Sequence, residues 1–225
     1  ARWSVERTRR DHGLRIDGAR LEQASARIKA LLPLVAEETS LDALRGLEGT
    51  GATAYFSVLD EMILGEKPVF SFPGRSRRPP LDPVNAMLSF SYSLLAHDCA
   101  AALESVGLDA YVGFLHRDRP GRTSLALDLM EELRPCMADR FVLTLVNNRI
   151  LAPDDFETRE SGAVFMTDNA RRIFLKGWQE KKMETLTHPY LGEKLPWGMV
   201  PYIQALLLAR YLRGDLDGYP PFLWK

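Results

Sequence analysis

Two cysteines, Cys99 and Cys136, are all that 225 residues supply. They stand far apart, form no C-x-x-C pair and have no zinc ligands in their local company. This argues against a disulfide framework or a structural zinc site, and buried thiols in a reducing cytoplasm are expected. Long apolar runs are also missing, so no membrane span is expected, and the opening Ala1-Arg2-Trp3 is unlike a signal peptide. A start without methionine reads as a processed or truncated product. Excess charge of one sign is absent, with 29 Lys and Arg against 30 Asp and Glu. That excludes a uniformly basic surface and leaves room for local patches. No glycine-rich phosphate loop is found: Gly46 to Gly51 precedes no Lys-Ser or Lys-Thr pair and follows no strand. Ser71 and Ser124 lack His and Asp companions, which argues against a serine hydrolase. No internal repeat, low-complexity tract or strand set able to build a sheet is evident.

What remains is helix after helix. Apolar residues make up 46% of the chain, enough for one good core, or for one domain with a helical appendage. The expected fold is all-α, a multi-helix domain over 1–225, with residues 1–18 as a charged lead-in. Ala19 to Ala36 has helical spacing, with Pro33 as a kink. Ser40 suits the N-cap of a helix running to about Ile63. Residues 65–83, rich in Pro, Gly and Arg, read as an exposed basic loop. Asp82 then caps a long apolar helix that has Pro83 at its first position and ends near Gly107. Leu108 to Arg122 reads as a connector. Thr123 or Ser124 caps a helix through Arg134, stopped by Pro135. Further helices are expected over 138–147, 169–184 and 200–212, and Tyr219-Pro220-Pro221-Phe222 cannot be helical.

Glu48 is the residue most out of place. It falls in the stripe of Leu41, Leu44, Ala52, Tyr55, Leu59 and Met62, whose spacing is that of a core-facing helix side. Either it pairs with Arg45 on a solvated face, or it is a carboxylate in need of a partner. Gly46, Gly49 and Gly51 flank it, as if something approached the backbone closely. A second informative segment runs from His116 to Glu131. Asp128 and Glu131, three apart, share a helix side opposite the apolar stripe of Leu125, Ala126, Leu129, Met130 and Leu133. That side is either an acidic solvated face or the wall of a cleft. One imidazole and two or three carboxylates make a reasonable shell for Mn²⁺, or for Mg²⁺ with water. Glu48, His116 and Glu131 could supply it, with Asp128 as a fourth ligand, an orienter or a proton acceptor. Spacing alone does not establish that they converge. The basic residues nearby, Arg75, Arg77, Arg78, Arg117, Arg119 and Arg122, are candidate phosphate contacts, which suits metal-assisted phosphodiester chemistry. The run Arg171 to Lys182, with five basic residues against Glu180, could bind DNA or only solvate a helix. His97, on the apolar helix, reads as a packed or semi-exposed residue, and His188 precedes Pro189 in a loop with no acid cluster near it, so neither is taken as a ligand.

Several ordered strings resemble a known family. They are Leu44-Arg45-Gly46-Leu47-Glu48-Gly49, then Arg77-Arg78-Pro79-Pro80 with Asn85-Ala86-Met87-Leu88-Ser89-Phe90. Gly113-Phe114-Leu115-His116 follows and leads to Leu125-Ala126-Leu127-Asp128-Leu129-Met130-Glu131. Together they are similar to the CRISPR-associated adaptation integrase nuclease, the Cas-one family. Gln204 to Gly214 and Tyr219-Pro220-Pro221-Phe222-Leu223 look like its type I-C branch. The resemblance implies an α-helical catalytic part that binds Mg²⁺ or Mn²⁺ through Glu48, His116 and Glu131. It also implies insertion of short foreign DNA into a CRISPR array by attack of a 3′-hydroxyl on a phosphodiester, and metal-dependent DNA cleavage.

Expected partners are double-stranded DNA, Cas-two and Cas-four, with a homodimer in the full-length family, in a prokaryotic cytoplasm without membrane attachment. The family's N-terminal β domain has no counterpart before Ala19, so the chain reads as the catalytic part alone. The competing readings are a non-catalytic helical DNA-binding module and a metal-dependent phosphoesterase acting on small substrates.

Overall fold

The computed structural model describes residues 1–65, 67 and 69–224. The helices among them are α1 (Arg2–His12), α2 (Gly18–Glu37), α3 (Leu41–Phe56), α4 (Pro83–Ser105), α5 (Ser124–Leu133), α6 (Arg140–Asn147), α7 (Asp168–Met183) and α8 (Val200–Leu212). Four three-residue strands, β1 (Phe156–Thr158), β2 (Val164–Met166), β3 (Thr185–Thr187) and β4 (Lys194–Pro196), pair as two antiparallel hairpins. The helical class is as expected. The hairpins are an addition, too short to show an alternation in the sequence. The chain divides into two units, Ala1–Met87 with Val142–Thr167 and Leu88–Phe141 with Asp168–Lys225. Each unit is built from two stretches of sequence.

In the first unit, α1 occupies the segment expected to be a lead-in. Its Ser4 and Val5 are buried, and Arg2 Nε donates to Ser25 Oγ of α2 at 3.1 Å. Ser25 in turn donates to Glu6, which together with Arg9 holds that carboxyl below its usual range. A helix whose sequence is mostly charge is thus fixed by two small buried residues and by ion pairs along its length. Ser40 caps as expected, its Oγ accepting from Ala43 N at 3.4 Å, and Asp17 caps α2, its Oδ1 accepting from Arg20 N at 3.1 Å. Pro33 lies inside α2, which continues through it. The core is built after α3 turns inward, from Ala54, Tyr55, Val58, Leu59, Met62 and Ile63. Asn147 fastens this turn, accepting from Leu64 N at 2.8 Å and donating to Met62 O at 3.1 Å. Two residues of the expected 65–83 loop, Glu66 and Pro68, lie outside the described residues.

In the second unit, Phe174 and Trp178 of α7 are almost wholly buried. Phe174 meets Phe90 and Phe141 edge-on at 5.2 and 5.0 Å. Pro135 does not stop the chain after α5. It sits at the start of a π-helical turn, Arg134–Asp139, where its missing N–H is harmless, and the path runs on into α6. Cys99 and Cys136 are free and buried; burial pushes the Cys136 thiol up to about 12. No helix is long and apolar enough to cross a membrane among the described residues.

Candidate metal centre and basic loops

Asp128 organises the site around His116. Its Oδ2 accepts from Phe114 N at 2.6 Å and Leu115 N at 3.0 Å, and its Oδ1 accepts from His116 N at 2.9 Å. The His116 ring closes the set, with Nδ1 2.6 Å from Asp128 Oδ1. Burial would raise the Asp128 carboxyl, but the imidazole and the three backbone donors together hold it below the usual range. A charged carboxylate surrounded by donors keeps a proton on His116 Nδ1 and fixes the ring's orientation. Asp128 is accordingly an orienter of His116, with its own oxygens occupied by the loop.

Why the loop folds onto α5 is visible at Gly113. A Cβ there would lie 2.7 Å from Ser124 Cβ, 2.9 Å from Ser124 C and 3.0 Å from Asp128 Oδ2, so only glycine fits. Ser124, fully buried, donates to Arg117 O at 3.2 Å. Ala110 O receives both Leu125 N at 3.0 Å and Ala126 N at 3.3 Å, capping the start of α5.

Glu131, one turn beyond Asp128, is half-buried and paired with Arg134. The Arg134 guanidinium lies 4.4 Å from the Tyr92 ring centre, and the Tyr92 hydroxyl donates to buried Asp139. Burial opposes the Arg134 charge, but Glu131, Tyr92 and Asp139 outweigh it, so the cation is retained. The π-helical turn supplies both Arg134 and Asp139. Adjacent Glu132 faces another way. Its Oε2 accepts from Gln204 Nε2 and Phe222 N, each at 2.8 Å, and its Oε1 from the Tyr219 hydroxyl at 2.7 Å. Burial raises this carboxyl, against the pull of those three donors. Gln204 Oε1 continues the chain to His188 Nε2 at 3.1 Å, and His188 is buried.

Glu48 lies in the first unit, on α3, and is exposed. The expectation that it occupies a core stripe is corrected. Leu41 and Ala52 of that stripe are exposed as well, and a Cβ on Gly46 or Gly49 would meet nothing within 4 Å. Only Gly51 faces a neighbour, Leu31 Cδ1 at 3.5 Å. The stripe is helical in spacing but is covered only from Ala54 onward. Among the described residues, no group of three or more His, Cys, Asp or Glu is arranged to hold a metal ion. The second unit offers two donors of the right chemistry: the imidazole Nε2 of His116, set by Asp128, and the carboxylate of Glu131. Nitrogen and oxygen donors of this kind fit Mn²⁺ or Mg²⁺ better than a thiophilic ion.

The basic residues divide by role. Arg77 and Arg78 are exposed in the first unit, as are Arg117 and Arg119 in the second, while Arg122 is half-buried. Arg75 is tied into the fold: its Nη1 donates to Asn85 Oδ1 at 2.6 Å and to Ser76 O. Asn85 is fully buried and also reaches Gly74 O at 2.7 Å, Ser76 N at 3.1 Å and Asp82 Oδ2 at 2.6 Å. Sequence reasoning missed this bracket; its only signal is a polar residue, Asn85, inside an apolar helix start. On α7, Arg171 pairs with Asp168, Lys176 with Glu180, Lys181 with Glu184 and Lys182 with Asp98. His97 is exposed on α4.

The family model for CRISPR associated protein Cas1, the Cas-one family above, matches residues 1–180. The chain is 54% identical over 223 residues to the CRISPR-associated endonuclease Cas1 2 of Rhodospirillum rubrum, covering 97% of this chain and 65% of that protein. It is 49% identical over 225 residues to the CRISPR-associated endonuclease Cas1 1 of Chlorobaculum tepidum, covering all of this chain and 66% of that one. The chain thus spans about two thirds of these relatives' length. Among solved structures, a casposase bound to integration product superposes with TM-score 0.75 at 27% identity, over 88% of this chain and 53% of that one. A partial Cas6-RT-Cas1–Cas2 complex gives 0.78 at 26%, over 99% and 65%. On the matched family model and these identities, the chain belongs to the Cas1 family.

Proposed function

We propose that the protein is a divalent-metal-dependent DNA endonuclease and integrase of CRISPR adaptation, inserting short foreign DNA into the array by transesterification. The observation that carries this is the fixing of His116 by Asp128, which lies one turn before Glu131 on α5. His116 and Glu131 would supply two ligands to Mg²⁺ or Mn²⁺, and Glu48 is carried as a third from the family resemblance alone; the ion when bound would supply Lewis-acid polarisation of a phosphodiester and activation of the attacking oxygen. The chain's own residues do the rest. Asp128 keeps the imidazole in its ligand tautomer, and Arg134 restrains Glu131 from one side. Arg77, Arg78, Arg117, Arg119 and Arg122 hold phosphates and fix the register of the DNA without reading its sequence. Asn85 and Arg75 hold the loop that displays Arg77 and Arg78.

Partners follow from the relatives. One solved relative is a casposase bound to integration product, and others are complexes of Cas1 with Cas2. We extend these to double-stranded DNA and the Cas-two protein here, and, from the resemblance to the type I-C branch, to Cas-four and a homodimer of the full-length protein in a prokaryotic cytoplasm. Calorimetry with Mn²⁺ on wild type and on Glu48→Ala, His116→Ala and Glu131→Ala tests the ligand set. Each variant should lose at least tenfold in metal affinity and lose DNA nicking. Equal affinity in all four proteins sinks the metal site and favours a DNA-binding module without chemistry. Turnover of small phosphate esters in place of DNA would favour the phosphoesterase.

A further inference from the structure

The last described residues, 219–224, form no helix or strand, yet three of them are fastened within the second unit. The Tyr219 hydroxyl donates to Glu132 Oε1 at 2.7 Å, and Phe222 N donates to Glu132 Oε2 at 2.8 Å. The Phe222 ring is buried against His188 and Trp197, whose ring centres lie 5.4 and 5.9 Å away. Trp224 meets Trp197 edge-on at 5.0 Å and has the Arg140 guanidinium 5.2 Å from its own ring centre. Gln204 of α8, fully buried, gives Glu132 a third donor at 2.8 Å and holds the Tyr219 hydroxyl at 2.7 Å. Strap and helix thus meet at Glu132, the residue next to the candidate ligand Glu131.

We propose that this C-terminal strap aims Glu131, with Glu132 as the positioning residue through which it acts. The proposal rests on the metal-site reading above and adds what holds one of its ligands in direction. Fastening a tail needs no carboxylate, because apolar side chains of similar volume fill a buried site as stably or more so. What fixed donors on separate segments add is orientation. Neighbouring residues of a helix point about 100° apart, so a carboxylate pinned at Glu132 sets the roll of α5 and the direction of Glu131 with it. That roll is not set by the helix's own continuation, since α5 passes at Arg134 into a π-helical turn. Arg134, the partner of Glu131, rests on Tyr92 of α4. Glu132 is the corresponding hold toward α8 and the strap, and without it the end of α5 is steadied from one side.

The test compares Mn²⁺ affinity by calorimetry with the urea midpoint in the full chain, for wild type, Glu132→Gln, Glu132→Ala, Tyr219→Phe and the double variant Glu132→Ala with Tyr219→Phe. Glu132→Ala should weaken Mn²⁺ binding about tenfold in protein that is still folded. Glu132→Gln keeps an oxygen for Gln204 and Phe222 N, so it should bind Mn²⁺ within about twofold of wild type although the charge is gone. Tyr219→Phe removes one donor and no ring, and should weaken binding about threefold. In the double variant the loss should be no larger than in Glu132→Ala, because the strap reaches Glu131 only through Glu132. Lower urea midpoints with unchanged Mn²⁺ affinity make the strap structural only and overturn the proposal, as does a loss in Glu132→Gln as large as that in Glu132→Ala. Additive losses in the double variant overturn the route through Glu132. If Glu132→Ala does not fold, Tyr219→Phe decides, and unchanged affinity there overturns the proposal. Wild type that binds no Mn²⁺ overturns the metal-site reading and the strap's role together. Binding that falls in Glu131→Ala but in neither Glu132→Ala nor Tyr219→Phe overturns the strap alone.

Discussion

A single hydrogen atom decides how close the His116 loop comes to α5. Replacing it by methyl at Gly113 puts carbon 2.7 Å from Ser124 Cβ, against buried side chain and helix backbone that have no room to yield. Gly113→Ala should cost about 1–3 kcal/mol in chemical denaturation. Because the displaced amides are those bound to Asp128, the variant should also bind Mn²⁺ more weakly, about as His116→Ala does. Normal metal binding in a folded Gly113→Ala protein would show that the loop's fit is not what sets His116. Gly49 is the contrast. Its Cβ would meet open space within a helix, so Gly49→Ala should stabilise the fold by up to about 1 kcal/mol. If DNA lies against the α3 side bearing Glu48, the same change weakens DNA binding while the denaturation midpoint rises, and the two readouts separate fold from contact.

At the scale of elements, the C-terminal segment is held to α5 by a buried polar chain, Glu132 with Tyr219, Phe222 N and Gln204, ending in His188. His188 Nδ1 accepts from Tyr190 N and Leu191 N, each at 3.3 Å, so its proton is on Nε2 and the ring is neutral. Burial lowers its pKa, partly offset by Gln204. The unfolded chain, titrating near 6.5, takes up the proton first as pH falls. Stability from His188 is therefore complete above about pH 6.5 and is lost as pH falls through the folded value. Urea midpoints at pH 7.5 and 5.5 should show that loss in wild type and a smaller one in His188→Gln. An identical pH dependence in both proteins would assign the loss to other groups.

Helix ends were legible where a cap is local in sequence, as at Ser40 and Asp82. The helix α1 was not, because its burial rests on Ser4 and Val5 against a partner twenty residues on. Nor was the passage through Pro135, which a wider turn absorbs. His116, Asp128 and Glu131 stand out as candidates by spacing, but the hold of Asp128 on His116 depends on three loop amides that no spacing reveals. The Glu132 chain joins four distant stretches and carries no local signal at all.

At the scale of the whole molecule, a net charge of −1 hides two exposed arginine loops, one in each unit. DNA affinity should therefore fall steeply with salt although the protein is nearly neutral, by about 0.9 in logarithmic slope for each phosphate neutralised. Arg77→Ala with Arg78→Ala should reduce that slope by about two, and Arg117→Ala with Arg119→Ala by a similar amount. Arg75→Ala should behave differently, since its guanidinium is bound to Asn85 and Ser76; it should lower stability and change the slope by less than one. On α7, Arg171, Lys176, Lys181 and Lys182 each face an acid within 4 Å, so charge reversal at exposed Arg172 is the informative change there. With its neighbours already paired, Arg172→Glu should leave the salt slope unchanged. A drop of one unit or more in anisotropy titrations from 50 to 200 mM salt would place α7 on the DNA and enlarge the basic surface beyond the two loops.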